Sequence, residues 1–193
     1  MVYNAWTFVS YVVAACYKNF KYTLVRLIIM WEKILNSLLI LTISAVLLGS
    51  MTLQFFYDQE PCPLCFLQRL CMLSVASAAL FNICFSVRKL HYGLILFGAL
   101  CGGFVATRHI ALNICKADPF GEPFWGISLY TWAFFIFVCT ILAVALFLMV
   151  FDQKPGPESR AFKNWKWAPV SVLFIVALLN IFAAWRTCGF GLC

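Results

Sequence analysis

Apolar residues gather in long runs with short polar breaks, and the lengths of those runs set the reading. A bilayer-spanning helix needs about 20 mostly apolar residues. Four runs meet that length: Ile34 to Phe56, Leu64 to Val87, Leu90 to Asn113, and Ile127 to Phe151. A fifth, Ala168 to Trp185, is shorter but free of charge throughout. Trp31, Trp125, Trp132, Trp165, Trp167 and Trp185 fall near the ends of these runs, where an amphipathic indole prefers to sit. The pattern predicts an all-α integral membrane protein: an antiparallel four-helix transmembrane bundle plus a fifth transmembrane helix.

Composition agrees. The chain has 193 residues, 64% of them hydrophobic and only 11% charged. A soluble domain carries about one quarter charged residues, so too few exist here to coat a water-facing surface. A soluble enzyme, a disordered tail and a nucleic-acid-binding module are thereby excluded, although a net charge of +7 would otherwise invite the last.

The basic residues set an orientation. Lys18, Lys21, Arg26 and Lys33 precede the first span, Arg88 and Lys89 separate the second and third, and Lys154, Arg160, Lys163 and Lys166 separate the fourth and fifth. By the positive-inside rule these mark the cytoplasmic side. The N-terminus is then inside, and the loops 57–63 and 114–126 and the C-terminus are outside.

Residues 1–33 read as a cytoplasmic or interfacial segment. Trp6 to Cys16 is apolar but too short to span, and Val13-Ala14-Ala15-Cys16 looks like a lipoprotein cleavage box. A secretory signal places basic residues before its apolar region, whereas Lys18 and Lys21 follow it. A helix lying against the inner leaflet is the better reading. Residues 34–151 form the four-helix domain, 152–167 a solvated cytoplasmic loop with a Pro-Gly turn, and 168–193 the fifth helix with a cysteine-bearing tail.

This topology sorts the ten cysteines. Cys16 is at the inner surface, and Cys71, Cys84, Cys101 and Cys139 lie within spans, as small buried hydrophobes. Cys62, Cys65, Cys115, Cys188 and Cys193 fall on the outer face, where disulfides persist.

Cys62 and Cys65 stand out by context. They lie in Glu60-Pro61-Cys62-Pro63-Leu64-Cys65, where the first outer loop enters the second span. Pro63 suits the first turn of a helix, because its missing N–H has no intrahelical partner to lose. Both sulfurs then sit at a helix N-terminus, where unpaired amides favour a thiolate. Arg69, four residues past Cys65, shares its helical face. A cation within hydrocarbon is costly and serves a purpose. Here it either lowers the Cys65 pKa or holds an anionic or carbonyl-bearing ligand at the membrane edge.

Other uses of a CxxC fit less well. A zinc site calls for four ligands, with only Cys115 and His109 as nearby candidates, and no metal is expected. A c-type haem requires His directly after the second Cys, where this chain has Phe66. An inert disulfide does not call for a buried arginine beside it. Redox chemistry is the better reading.

The pattern resembles the DsbB family of inner-membrane thiol–quinone oxidoreductases. The resemblance rests on Pro61-Cys62-Pro63-Leu64-Cys65-Phe66-Leu67-Gln68-Arg69, on Ala106-Thr107-Arg108-His109, and on Gly121-Glu122-Pro123 through Gly126-Ile127-Ser128-Leu129-Tyr130-Thr131-Trp132. It covers roughly residues 34 to 151. It implies a CxxC disulfide that takes electrons from a periplasmic thioredoxin-fold dithiol oxidase, DsbA-like, and passes them to a membrane quinone, ubiquinone or menaquinone. Carried over, Cys65 is the quinone-facing thiolate, Cys62 the sulfur that exchanges disulfides, and Arg69 the group that polarises a quinone carbonyl. Arg108 and His109 are assigned to the quinone pocket, His109 as proton donor or hydrogen-bond partner, against the alternative of an interfacial histidine satisfied by water. Gly98, Gly102 and Ala106 read as a small-residue packing stripe.

The chain departs from the family in its second outer loop, which normally carries a cysteine pair and here has only Cys115. The hypothesis is that Cys115 pairs with Cys188 or Cys193, delivered by the fifth span, to rebuild a relay. A local Cys188–Cys193 disulfide and an inert tail are the alternatives.

Two rivals remain. A vitamin-K-epoxide-reductase-like oxidoreductase would place its CxxC near the end of a later span. A non-catalytic protein binding a soft metal such as Cu(I) would be supported by methionine-rich outer loops, and Met1, Met30, Met51, Met72 and Met149 all lie elsewhere.

Overall fold

The computed structural model describes residues 5–56, 62–85, 88–115, 125–150 and 167–189. They form five helices: α1 (Ala5–Phe56), α2 (Pro63–Cys84), α3 (Lys89–Asn113), α4 (Leu129–Val150) and α5 (Trp167–Cys188). Each contains a stretch long and apolar enough to cross a membrane: Met30–Phe56, Pro63–Cys84, Lys89–Asn113, Leu129–Met149 and Trp167–Thr187. The expected five spans are all present, the described residues form helices without strands, and the chain is a multi-pass membrane protein.

Local chemistry explains the helix limits. Pro63 opens α2 with Cys62 as its N-cap, and α2 stops where Phe85 turns extended. The fourth helix begins at Leu129 rather than at the expected Ile127, because Trp125 and Gly126 both take left-handed backbone, at φ 54° and 76°. Ser128 then accepts the first intrahelical bonds from Thr131 and Trp132.

The boundary expected at residue 33 falls inside an unbroken helix. No glycine or proline occurs between Ala5 and Leu48 to interrupt it, so α1 continues for 52 residues. At 1.5 Å per residue that is about 78 Å, more than twice a hydrocarbon core of about 30 Å. The expected cytoplasmic loop lies outside the described residues except for Trp167.

Burial follows a helical stripe on each element. On α3 the buried positions Tyr92, Ile95, Ala99, Gly102, Ala106, His109 and Asn113 alternate steps of three and four, with Gly98 buried beside them. Ile40, Ile43 and Leu47 of α1 meet Met72, Val75, Ala76 and Ala79 of α2 in the same core, joined by Phe137 of α4 and Val176 of α5. In lipid, apolar area alone does not hold helices together, so close packing and polar contacts must. Gly102 supplies the first, because a Cβ there would collide with the Phe137 ring. Asn36 supplies the second at one end of the molecule. Its amide donates to Tyr92 Oη at 3.1 Å and to the Glu32 carbonyl at 2.8 Å, and its own oxygen accepts from Asn82 at 3.2 Å. His91 Nδ1 donates to Asn82 Oδ1 at 2.9 Å.

Two expectations need correction. Cys101 and Cys139 are exposed rather than buried, because they fall off the packing stripes and face away from the neighbouring helices. Lys33, expected to flank the first span, is only 5% exposed and lies inside the apolar stretch that begins at Met30.

The Gly102–Phe137 contact gives a direct test. Gly102→Val should destabilise the protein by about 1–3 kcal/mol through overpacking, read as a lower midpoint in thermal or mixed-micelle unfolding. Gly93→Ala, with nothing within 4 Å of the added carbon, should leave that midpoint unlowered or raise it slightly, because alanine suits a helix interior better than glycine.

Candidate functional site

The site grows from the first turn of α2. Cys62, with φ −75° and ψ 161°, is extended, and its carbonyl accepts from Cys65 N at 2.9 Å and from Phe66 N at 3.3 Å. Its sulfur accepts from the same Cys65 N–H at 3.3 Å, so the thiol itself caps the helix. An amide aimed at sulfur favours the anion. Cys65 lies one turn on, its Sγ 2.9 Å from Cys62 Sγ.

His109 closes the site from α3. Gly98 precedes it on the buried side of α3, where an added Cβ would meet Ser74 and Val75 of α2, so the two helices pack closely enough for the imidazole to reach. Its Nε2 is 3.6 Å from Cys62 Sγ, and its Nδ1 is 3.4 Å from Gln68 Nε2. With the Gln68 amide donating to Nδ1, the ring proton sits on Nε2 and points at the Cys62 sulfur. This tautomer is inferred from the hydrogen bonds. Tyr130 of α4 packs over the imidazole with ring centroids 4.4 Å apart, and Asn113 donates to the His109 carbonyl at 2.9 Å.

These contacts account for the acidity of Cys62. The Cys65 thiol bonds to it, His109 adds a second side-chain hydrogen bond and a coulombic pull, and burial opposes both. The net effect holds the Cys62 thiol well below its ordinary value, at about 4.

Below the sulfurs lies Arg69. It is only 9% exposed, and its hydrogen-bond partners among the described residues are neutral: Gln54 Oε1 at 2.8 Å and the Ser50 carbonyl at 3.2 Å, both on α1. The Phe66 ring lies 5.6 Å from the guanidinium carbon. Gln54 in turn donates to Thr187 Oγ1 at 3.0 Å, which ties the last turn of α5 to the same end. Arg186 over the Phe55 ring at 5.3 Å reinforces that contact.

Cys62, Cys65, Arg69 and His109 are therefore brought together around α2. Arg108, the immediate neighbour of His109, is exposed; one residue is about 100° of helical rotation, enough to carry it off the packed face. Cys115 is an exposed free thiol just beyond α3. Cys188 is the last residue of α5, with its side chain outside the described residues, as is the whole of Cys193. Sequence reasoning does not single out Gln54, and Gln68 stands out only as a member of the stretch Pro61 to Arg69. The periodicity of buried residues on α2 pairs Gln68 with Arg69, a usable signal, whereas Gln54 carries none.

Comparison with known proteins adds to this geometry. Residues 32–122 match the family described as Disulfide bond formation protein DsbB. Among similar proteins, Disulfide bond formation protein B 1 of Pseudomonas fluorescens strain Pf-5 is 28% identical, covering 53% of this chain and 80% of the relative. Disulfide bond formation protein B of Pseudomonas syringae pv. tomato is 26% identical, covering 55% and 83%. No solved structure matches the chain.

The lowered Cys62 pKa has a sign that can be checked. An ordinary thiol at 9.0 loses thiolate about tenfold per pH unit below that value, whereas a group near 4 stays ionised. Alkylation of Cys62 in the reduced protein, followed by peptide mass spectrometry, should hold its rate from about pH 8 to about pH 6 and fall only as the pH approaches the lowered value. A tenfold decline per unit across that window would contradict the geometry.

Proposed function

The chain belongs to the DsbB family over residues 32–122, and we propose on that premise that it is a thiol–quinone oxidoreductase supporting protein disulfide formation. The observation that carries this reading is the Cys62–Cys65 pair at a helix start, with a buried guanidinium one turn below and an imidazole on the outer sulfur. We read the fold as an antiparallel four-helix bundle with α5 packed on α1, in a bacterial inner membrane, the cysteine end facing the periplasm. Contacts pairing early residues of one helix with late residues of the next support it, as in Asn36 with Asn82 and Gln54 with Arg69.

The electron donor is a DsbA-like thioredoxin-fold dithiol. It first reduces the disulfide of Cys115 with Cys188 or Cys193 and departs oxidised; one relay thiolate then attacks Cys62 Sγ of the Cys62–Cys65 disulfide, and Cys65 leaves as thiolate. The second relay thiolate displaces Cys62, so the relay disulfide re-forms and Cys62 and Cys65 hold the dithiol. Two electrons and two protons have moved. His109 stabilises the Cys62 thiolate at each release, and the α2 amides contribute to the same end.

A bound quinone supplies a two-electron, two-proton acceptor. Arg69 fits a quinone carbonyl: Gln54 and Ser50 engage two of the five N–H donors of a guanidinium, and the others remain to polarise an oxygen as charge develops there. Cys65, between Arg69 and Cys62 on the same face, is placed to deliver the electrons. Reforming the Cys62–Cys65 bond completes the cycle.

Cys115 with Cys188 or Cys193 forms the relay to the donor in this proposal. Thr187 touching Gln54 supports it, because Gln54 of α1 also holds Arg69 of the CxxC helix and so links the end of α5 to that helix.

The test is quinone reduction by detergent-solubilised protein with a reduced thioredoxin-fold dithiol oxidase as donor. Wild type should turn over, and Cys62→Ser and Cys65→Ser should be dead. Arg69→Gln should lose about 10²-fold or more in kcat, the scale of one lost electrophilic donor. Cys115→Ser and the Cys188→Ser/Cys193→Ser pair should slow reaction with the protein donor but spare a small dithiol. No turnover by wild type with any such donor would sink the reading.

A further inference from the structure

The dithiol state has a second capability that the redox cycle does not use. We propose that reduced Cys62 and Cys65, with His109, form a three-ligand site for a borderline-soft divalent cation, Zn2+ foremost, and that only the reduced state binds it. The three ligand atoms lie within 4.8 Å of one another. In a tetrahedral zinc centre, bonds of about 2.3 Å to sulfur and about 2.0 Å to nitrogen put neighbouring S and N atoms about 3.5 Å apart. Cys62 Sγ and His109 Nε2 already stand at 3.6 Å. The two sulfurs, at 2.9 Å, need only open to about 3.8 Å, a rotation of one thiol side chain.

The surroundings suit a ligated imidazole. A metal-bound histidine donates its other ring N–H to an acceptor that fixes its orientation. The Gln68 amide faces Nδ1 at 3.4 Å, and a half-turn of that amide presents its oxygen in place of its nitrogen. Three protein ligands with a fourth position open to water make a complete site, as in zinc enzymes with a Cys2His set. A fourth protein ligand is therefore not required, and among the described residues only these three ligand atoms come together. Arg69 is no obstacle, because two thiolates neutralise the dication and the guanidinium meets an uncharged centre.

Binding is a proton exchange with no change of oxidation state: Zn2+ takes two sulfurs as thiolates, and any proton still on them goes to solvent. In the oxidised chain the Cys62–Cys65 bond uses both sulfurs and only His109 is left. Zinc would thus hold the dithiol and block turnover, a consequence that rests on the proposed oxidoreductase activity, although the site itself does not.

Reduced, desalted full-length protein in detergent, kept anaerobic, is titrated with Zn2+ against a chromophoric chelator and with Co2+ by visible absorption. The reduced chain should bind one equivalent more than the oxidised chain, and Co2+ should give tetrahedral and thiolate charge-transfer bands. Cys62→Ser and His109→Ala should each weaken that binding at least tenfold. Equal binding by the reduced and oxidised chains, or undiminished affinity in Cys62→Ser, would overturn the site without relying on any variant's fold alone. Quinone reduction measured in parallel with a chelator present separates the two ideas. Redox-gated binding without turnover keeps the site and removes the oxidoreductase reading, and turnover without binding does the reverse.

Discussion

A guanidinium inside an apolar layer of helices must be hydrogen-bonded, and the cysteine end of the molecule is arranged around that requirement. Leaving such a charge unpaired costs more than any single packing contact returns. Arg69 meets it by reaching across to α1, taking the Gln54 side chain and the Ser50 carbonyl. Those two bonds fix how far α2 slides along α1. With that register set, Cys65 stands one turn nearer the helix start and Cys62 becomes the cap. Beside Arg69 on α2, Gln68 makes the corresponding contact to α3, at His109.

The two ends of the molecule are held by different chemistry. At the far end Asn36, Asn82, Tyr92 and His91 form a chain of hydrogen bonds across three helices. At the cysteine end the connections run through a cation, a thiol pair and an imidazole. Between them the helices meet on Ile, Val, Ala and Gly, with Phe137 seated against Gly102. The neutral knot holds the helices in place without offering chemistry, whereas the charged end presents groups that can exchange protons and electrons.

What the sequence disclosed follows from the range of each signal. The five spans were legible because run length is a local property, and the CxxC with Arg69 because all three lie within two turns of one helix. His109 was legible as a candidate, and its reach to Cys62 follows from the close approach of α3 to α2 at Gly98. Gln54 was not, because a lone amide at the end of an apolar run says nothing until its partners arrive from α2 and α5. Arg108 entered with His109 in the motif Ala106-Thr107-Arg108-His109, and on α3 the two neighbours face different ways, His109 buried and Arg108 exposed. The unbroken α1 could have been read from the lack of Gly and Pro, but apolar content drew the boundary instead.

Gln54 carries one further implication, about how such a chain can evolve. Arg69 has only donors, so the amide must turn its oxygen that way and its nitrogen toward Thr187. The Thr187 hydroxyl proton goes to the Ala183 carbonyl at 3.1 Å, which leaves its oxygen to accept from Gln54. A carboxylate at position 54 would satisfy the arginine, and Thr187 could answer it only by turning its hydroxyl proton away from Ala183. A chain with a fifth helix packed this way therefore couples its first helix to its last: a change from amide to acid at position 54 is met by a rearranged hydrogen bond at position 187.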